Sequence, residues 1–431
     1  MDVLLVNAIA YVLLFLYTIY KYRRINLYNS ILFAFAVISV MGYITTKMGI
    51  QIVGSVNFGY KASPIPYLFQ FVAVLLIVSP YKKCISPQAN FSVFKSKNLI
   101  KLFYFSSVIF VIVILVKLYE FELVLQQGLA EAYVARHSEG TRLIEFSNPV
   151  LTFFSTKGMS YVETVFPIMV YYYVYRIKFR IGSLLYNILL LLMCFIPEIL
   201  DSLTTGSKGM LFFNAFDLVF FYLFFERILP SKVKRSFILI GSLVFSFLIF
   251  YAVAIQESRN DYDKSKKLAS EVILRYLGES MPNLGDLYED TKVHPYGKRF
   301  FPVFTGGKTF SSAEEKAEYW EKVTKARVLN FKTIWGDCFI EFGIVGSFIF
   351  LFIVVGIYKK FVFSNIQHFY IFPLIYYYYH KVCIYGIFGV AFVDMRSLQV
   401  TLYAVLLCWY LKTLTKANSR TTKSISRISI S

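Results

Sequence analysis

Cysteine and histidine are scarce in this sequence, and the cysteines are not arranged as ligands. The 431 residues contain five cysteines and four histidines. The cysteines show no paired spacing, so we predict neither a disulfide framework nor a zinc site. They are Cys84, Cys194, Cys338, Cys383 and Cys408. We expect the protein to use no metal ion and no organic cofactor.

Motifs of nucleotide-dependent enzymes and of hydrolases are also missing. No glycine-rich nucleotide loop is present, and no Ser/His/Asp or Cys/His order can be assigned. Asp261-Tyr262-Asp263 matches the Asp-x-Asp pattern by which some sugar transferases hold a metal. A charged loop also contains such triplets by chance, and we expect no metal here.

Long apolar runs dominate the sequence instead. Hydrophobic residues make up 57% of the chain and the mean hydropathy is +0.58, which is more apolar than a soluble domain of this length. The runs have the length of membrane spans. We therefore predict an all-α polytopic membrane protein in which residues 1–431 form one membrane domain of about eleven (10 to 12) helices. The spans lie near residues 3–20, 27–46, 64–81, 99–117, 159–175, 182–200, 210–226, 236–255, 336–357, 369–390 and 397–412.

The distribution of charge predicts the orientation. The formal net charge is +19, and alternate connections, with the tail, hold 22 basic residues against a single acid, Glu226. By the positive-inside rule these segments face the cytoplasm. We predict an external N-terminus, a cytoplasmic tail at 413–431, and external loops at 118–158 and 256–335. The basic excess is therefore a topology signal and not a nucleic-acid surface, and the short cytoplasmic connections exclude a nucleotide-sugar domain.

The loop 256–335 is the only long polar segment, and it is nearly neutral, with 14 basic and 12 acidic residues. An amphipathic helix is predicted over 264–281, lying along the outer leaflet. Residues 282–310 show no periodicity, and we predict no regular structure there. Capping boxes at Ser311 and Ser312 predict a helix that runs to about Lys332. The loop is expected to form a small folded lid.

Carboxylates occur where apolar spans meet the predicted external side. Asp337 and Glu341 share one helix face in the first turns of the span 336–357, and Glu198 and Asp201 follow a proline at the outer end of the sixth span. Ionisable groups at membrane depth are costly unless they face the bundle interior or water. They are therefore candidate site residues, although the helix dipole alone also favours acids at a helix N-terminus.

Seven arginines lie on the predicted external side. They are Arg136, Arg142, Arg259, Arg275, Arg299, Arg327 and Arg396. A guanidinium binds phosphate oxygens bidentately and stays charged, so it suits a pyrophosphate near the membrane surface. The alternative for each of them is an ion pair with a loop acid or a lipid headgroup. His137 follows Arg136 at the predicted C-terminal end of a helix, where the dipole favours cations.

The segment Thr333-Ile-Trp-Gly-Asp-Cys-Phe-Ile-Glu-Phe-Gly-Ile-Val-Gly346 resembles the O-antigen polymerases, also called oligosaccharide repeat unit polymerases. In that family a long external loop leads into a span that opens with an acid, followed by aromatic-Gly and a further Gly. Thr205-Gly-Ser-Lys-Gly209 is similar to a motif of small and basic residues before a middle span of the family. Lys208 stands where many members have arginine.

The spacing of arginine and glycine adds to the resemblance. Some members of the family are described as using arginines in two external loops, each followed 16 residues later by glycine. Here Arg142 precedes Gly158 and Arg327 precedes Gly343 at that spacing. The two pairs begin in the two largest predicted external loops.

The resemblance implies a GT-C-like glycosyltransferase of the bacterial inner membrane. It would polymerise polyprenyl-pyrophosphate-linked oligosaccharide repeat units into the O-antigen of lipopolysaccharide at the periplasmic face. Its partners would be the lipid-linked donor and acceptor, membrane lipids and a chain-length regulator. The O-antigen ligase, and a non-enzymatic lipid-linked oligosaccharide flippase or transporter, are the alternatives.

Two roles follow from that reaction. The leaving pyrophosphate needs fixed positive charge, which we assign to Arg142 and Arg327. The acceptor hydroxyl needs a base, which we assign to Asp337 or Glu341, with Glu198 and His137 as weaker choices. The predicted substrate-binding residues are Arg136, His137, Glu198, Lys208 and Arg299.

Overall fold

The part of the chain that the structure describes is mostly helical. The computed structural model describes residues 2–49, 63–85, 91, 94, 97–128, 131, 135, 144, 146–205, 208–263, 269–306, 308, 310, 313–328, 332–391 and 395–428. These residues contain no strand. The all-α prediction is therefore confirmed for the described residues.

The helices follow the chain from one apolar run to the next. They are α1 (Val3–Tyr22), α2 (Leu27–Lys47), α3 (Ile65–Val78), α4 (Lys97–Gln127), α5 (Pro149–Phe153), α6 (Met159–Lys178), α7 (Leu184–Met193), α8 (Ile196–Thr204), α9 (Lys208–Phe225), α10 (Ser231–Asp263), α11 (Ala269–Gly278), α12 (Ser280–Asp290), α13 (Pro302–Thr305), α14 (Ala313–Thr324), α15 (Thr333–Ile357), α16 (Phe372–Tyr377) and α17 (Met395–Ile428). A π turn (Phe154–Gly158) joins α5 to α6.

Eight helical segments of the described chain are long and apolar enough to cross a membrane, so the protein is membrane-embedded. They are Val3–Tyr22, Leu27–Lys47, Ile65–Cys84, Lys97–Gln127, Leu184–Thr204, Ser231–Tyr251, Thr333–Asn365 and Ser397–Thr415. The other three predicted spans are helical but are not among these eight segments. The charged α6 does not qualify, the apolar stretch Phe212–Phe225 is short, and Phe369–Ile387 alternates between 3-10, α and π turns. The count of eleven stays a prediction.

Local sequence signals account for the first helical hairpin. The carboxylate of Asp2 accepts hydrogen bonds from the backbone N–H groups of Leu4 (3.0 Å) and Leu5 (3.4 Å), which caps α1. Asn26 and Asn29 accept from each other's backbone N–H groups at 2.7 and 3.1 Å, which forms a capping box for α2. The caps fix where each helix begins, and the two helices then pack side by side.

The bundle core is rich in aromatic side chains whose hydroxyl groups bond to backbone carbonyls. Tyr81 donates to the carbonyl of Ile375 at 2.7 Å, and Tyr378 donates to that of Ile77 at 2.7 Å. Both tyrosines are fully buried. A buried hydroxyl without a partner is costly. The bond of Tyr378, and that of Tyr377 to the carbonyl of Glu163, allow these two tyrosines to lie inside the bundle.

The polar loop 256–335 folds on the bundle, and two expectations about it are corrected. Residues 280–290 form α12, whereas we predicted no regular structure over 282–310. The helix predicted to reach Lys332 ends at Thr324, because Lys325 adopts a left-handed φ of 65°. Side chains of the stretch that we took as irregular, such as Asn283 and Leu284, are buried.

The helix α11 packs against α2, and its predicted position along the outer leaflet stays a prediction. A Cβ atom on Gly278 would lie 2.6 Å from the backbone of Met41, and one on Gly42 would lie 3.0 Å from the carbonyl oxygen of Gly278. The two helices therefore touch through glycine at both sides of the contact. Residues 264–268 of the predicted helix lie outside the described residues.

Candidate functional site

The N-terminal end of α15 is anchored by a buried glutamine of α3. The side-chain oxygen of Gln70 accepts from the hydroxyl of Thr333 at 2.9 Å and from the backbone N–H of Trp335 at 3.3 Å. It thereby satisfies one of the backbone donors that a helix N-terminus leaves without an internal partner. Gln70 and Thr333 are both fully buried, so α15 starts at a defined place in the bundle.

The helix α15 is broken at Gly343, and the polar loop fills the break. Gly343 has φ 68° and ψ −172°, which is not helical. The carbonyl of Ile340 instead bonds to Nδ1 of His294 at 3.1 Å, and that of Glu341 accepts from the backbone N–H of Tyr296 at 2.9 Å. Irregular backbone at membrane depth is tolerated where protein satisfies its polar groups. We call the segment 294–299 and the first half of α15 the loop–helix junction.

A buried arginine joins the two halves of this junction. In Arg299, Nη2 lies 2.6 Å from Oδ1 of Asp337, and Nε lies 3.0 Å from Oε2 of Glu341. The other oxygen of Glu341 accepts from the backbone N–H groups of Gly297 (2.6 Å) and Arg299 (3.2 Å). The other oxygen of Asp337 accepts from the N–H of Val390 at 2.8 Å. Three separate chain segments therefore meet at two carboxylates.

Lys332 completes the charge balance of the junction. Its ammonium lies 3.8 Å from Asp337 and also donates to the carbonyl of Val328. Burial lowers the pKa of Lys332 to about 8, although the attraction of Asp337 opposes this shift. Burial acts in the same direction on Arg299, but there Asp337 and Glu341 outweigh it and raise the pKa. Two cations thus face two carboxylates, and a buried guanidinium stays charged.

This geometry bears on the predicted roles of three residues. Asp337, Glu341 and Arg299 are brought together as one cluster, and each is nearly or fully buried. Both carboxylates already accept bonds at both oxygens, and the arginine is engaged at Nε and Nη2. As described, the cluster holds the loop on the membrane helix. A base at Asp337 or Glu341, and substrate binding at Arg299, stay predictions.

Replacing Gly343 with Ala is expected to destabilise the protein by about 1–3 kcal/mol, because its backbone region is nearly restricted to glycine. An added Cβ would also lie 3.2 Å from Nε2 of His294. Thermal unfolding in detergent measures the loss. Gly356→Ala on the same helix is the control, since a Cβ there meets nothing within 4 Å and alanine favours a helix by up to about 1 kcal/mol. Equal stability of the two variants would contradict the break as described.

A second cluster of buried charges lies where α4, α8 and the π turn before α6 meet. The ammonium of Lys117 lies 2.7 Å from Glu120, 2.7 Å from Asp201 and 3.2 Å from the hydroxyl of Ser155. Ser155 donates to Glu120 at 2.6 Å. All four residues are buried. Asp201 thus faces the interior of the bundle, one of the two environments expected for it.

A third cluster lies where α6, α9 and the π segment Tyr378–Ile384 meet. Nδ1 of His380 lies 2.7 Å from Oδ1 of Asp217 in α9, and the ammonium of Lys381 lies 3.1 Å from Glu163 in α6. Glu198 is half-buried and close enough to act electrostatically on the nearby tyrosines of α16. His380, Lys381 and Glu163 retain 14%, 12% and 12% of their side-chain surface exposed, so these side chains are not fully buried.

The predicted external arginines are only partly described. Arg136, His137 and Arg142 lie outside the described residues, and so does the side chain of Lys208. Arg327 is half-buried and lies near Asp286. Burial, with Asp290 and Glu289, raises the pKa of Asp286 to about 6, and Arg327 opposes that shift. The convergence of Arg142 with Arg327 therefore stays a prediction.

Several residues of these clusters were missed as site candidates, among them Lys117, Asp217 and His294. Lys117 falls at the last position of a predicted span, where a snorkelling lysine is ordinary. Asp217 lies in the middle of an apolar run, and this isolated acid at membrane depth was a usable signal. His294 is one of only four histidines, but its proline and glycine neighbours indicate only a turn.

Comparison with known proteins adds no relative. No protein-family model matches the chain, and no curated protein and no solved structure matches it. The candidate sites therefore rest on the chemistry and geometry of this membrane-embedded chain alone.

Proposed function

We propose that the protein is a glycosyltransferase that polymerises polyprenyl-pyrophosphate-linked repeat units, as the resemblance of residues 333–346 to the O-antigen polymerases implies. The reaction would take place at the external face of the bacterial inner membrane. The growing glycan would move from one lipid carrier to the non-reducing end of the next lipid-linked unit. The N-terminus would lie outside and the tail at 413–431 in the cytoplasm.

The observation that carries the proposal is the loop–helix junction. The segment with the family resemblance is the part of α15 that is broken at Gly343 and bound by the polar loop. Broken membrane helices with buried charges mark binding sites in many membrane proteins. A lipid-linked pyrophosphate sugar has an apolar tail, a charged linker and a polar glycan. A polar loop docked on a membrane helix offers surfaces to all three.

Fixed positive charge near this junction would stabilise the leaving pyrophosphate. Arg327 follows α14 in the same loop and is half-buried beside Asp286. A guanidinium neutralises phosphate charge without a metal ion. We assign this role to Arg327, together with Arg142 from the earlier loop, and further binding to Arg136 and Lys208.

Replacing Arg327 with Ala is expected to abolish long glycan chains while leaving single repeats. Loss of one preorganised charge at a transferring group slows the step on the order of 100-fold or more. Glycan length is read by gel electrophoresis in cells that carry only the variant. Lys322→Ala, an exposed cation of α14, is the control. Unchanged glycan chain lengths with an equally abundant Arg327→Ala protein would contradict the role of Arg327 in stabilising the leaving pyrophosphate.

Deleting the gene in its own host separates the proposed function from the alternatives. If the protein is a polymerase, its loss leaves one repeat on the lipopolysaccharide core. If it is a ligase, its loss leaves the core bare. If the protein is a flippase, its loss leaves the lipid-linked repeat on the cytoplasmic side, where the repeat is protected from an external glycosidase. Wild-type chain length in the deletion strain would exclude all three.

Transport is the second candidate, and the third charged cluster favours it. Ionisable residues inside membrane helices mark ion and proton pathways in pumps and transporters. Asp217 with His380, and Glu163 with Lys381, form two such pairs on three helical segments. Replacing Asp217 with Asn would then block export of the lipid-linked unit. If the protein is a polymerase, cells that carry an inactive variant would instead accumulate exported single repeats.

A further inference from the structure

The tautomer of His294 is fixed by the break in α15. Its Nδ1 lies 3.1 Å from the carbonyl oxygen of Ile340. A carbonyl oxygen can only accept a hydrogen bond, so Nδ1 must carry the proton. In the neutral imidazole the lone pair is then on Nε2. This nitrogen has no hydrogen-bond partner among the described residues.

The ring is also held in position by its surroundings. The imidazole packs edge-on against Phe339, with 5.4 Å between ring centroids and 73° between planes. On its other side Nε2 lies 3.2 Å from the position of a Cβ on Gly343. The next residue but one, Tyr296, has a left-handed φ of 53° and donates its N–H to the carbonyl of Glu341. Strained backbone of this kind is retained where the surroundings fix a residue for use.

The side chain remains partly accessible, unlike the acids beside it. His294 is half-buried, whereas Asp337 and Glu341 are 3% and 0% exposed. The charged groups that α15 brings to this place are those two carboxylates, both bonded to Arg299. On its own segment the nearest cations, Lys292 and Lys298, are exposed. His294 is therefore the titratable group of the junction with a lone pair left for a ligand.

We propose that His294 is the general base of the transfer reaction, an inference that rests on the proposed function. Nε2 takes the proton from the acceptor hydroxyl of the lipid-linked repeat unit. The acceptor oxygen forms a bond to the anomeric carbon of the donor glycan as the bond from that carbon to the pyrophosphate oxygen breaks. The polyprenyl pyrophosphate leaves with the electron pair, and the imidazolium later releases its proton to water.

This role explains why the loop is tied so firmly to α15. Arg299, Glu341 and the backbone of Tyr296 fix the segment that carries the imidazole. A general base needs its lone pair held within hydrogen-bond reach of the substrate and a proton affinity matched to neutral pH. The lone pair of Nε2 has no protein partner among the described residues, whereas both oxygens of each carboxylate already accept hydrogen bonds.

Two substitutions separate the lone pair of Nε2 from the structural bond of Nδ1. His294→Asn places an amide N–H where Nδ1 lies, so it can keep the bond to Ile340 but has no base. We expect this variant to fold with parental thermal stability and to extend glycans on the order of 100-fold or more slowly. His294→Ala is expected to lose the bond, the activity and some stability. His368→Asn is the control, because His368 lies in a connection that is predicted to face the cytoplasm.

The assay follows glycan extension in spheroplasts that have accumulated lipid-linked single repeats, at external pH values from about 5.5 to about 8.5. Parental activity should fall toward low pH, over the interval in which imidazoles take up a proton. The residual activity of His294→Asn should lack that fall. Parental activity of His294→Asn would overturn the inference while leaving the proposed function intact. A deletion strain with normal chain length would overturn the proposed function itself.

Discussion

Replacing Arg299 with Met is expected to remove about 3–5 kcal/mol of stability, because two buried carboxylates lose their main cation. Asp337 and Glu341 are 3% and 0% exposed, and each bonds directly to the guanidinium. Lys332 remains, but only at 3.8 Å from Asp337. The loop–helix junction would open, and glycan extension would be lost with it. Thermal unfolding of the purified variant in detergent measures the effect.

The control for this result is Lys298→Met, which replaces the exposed cation next in the chain. Its stability should lie within about 0.5 kcal/mol of the parent. Arg299→Lys should fall between the two, since one ammonium lacks the fork that bridges both acids. Parental stability of Arg299→Met would show that the ion pairs do not hold the junction.

A triple variant, Arg299→Met with Asp337→Asn and Glu341→Gln, separates structure from catalysis. Removing all three charges together avoids an uncompensated buried charge, and such replacements are often nearly neutral. We expect most of the stability to return. If glycan extension returns as well, neither acid is the base. A stable but inactive triple variant would instead favour the prediction of a base at Asp337 or Glu341 over the inference that His294 is the base.

Replacing Lys117 with Met is the second substitution with a large expected effect, about 3–5 kcal/mol. The ammonium is fully buried and bonds to Glu120 and Asp201 at 2.7 Å each. Its loss leaves like charges close together on α4 and α8, in surroundings of low dielectric constant. We expect the two helices to separate at this contact. Thermal unfolding and protein abundance in the membrane both report it.

Lys101→Met is the matched control, since Lys101 is an exposed lysine of the same helix. It should be stable and abundant. Adding Glu120→Gln and Asp201→Asn to Lys117→Met removes the charges that the lysine balances, and should restore part of the stability. Equal stability of Lys117→Met and Lys101→Met would show that the cluster does not stabilise the fold.

The sequence predicted well what depends on residues close together in the chain. Apolar runs of membrane length predict helices because each helix satisfies its own backbone hydrogen bonds. The same-face prediction for Asp337 and Glu341 needs only the helical period, and both acids do bond to Arg299. The helix predicted to reach Lys332 was wrong at its end, since the left-handed backbone of Lys325 is not a property of its composition.

Partners that lie far apart in the chain could not be predicted. Arg299 lies 38 and 42 residues from its two acids, and His380 lies 163 residues from Asp217. The sequence left each arginine with two interpretations, phosphate binding or an ion pair, because both need the same side chain. Only packing selects between them, by placing a carboxylate within hydrogen-bond distance and excluding water.

The sequence by itself thus determined an all-α membrane protein with one dominant polar loop and a pair of acids on one face of a late helix. The tertiary structure alone decided that Gly343 breaks this helix, because a glycine inside an apolar run is equally compatible with close helix packing. The break requires another segment to bond to the freed carbonyls, and His294 and Tyr296 supply those bonds. A buried backbone group must be satisfied wherever its partner lies in the chain, and only the folded loop brings the partner there.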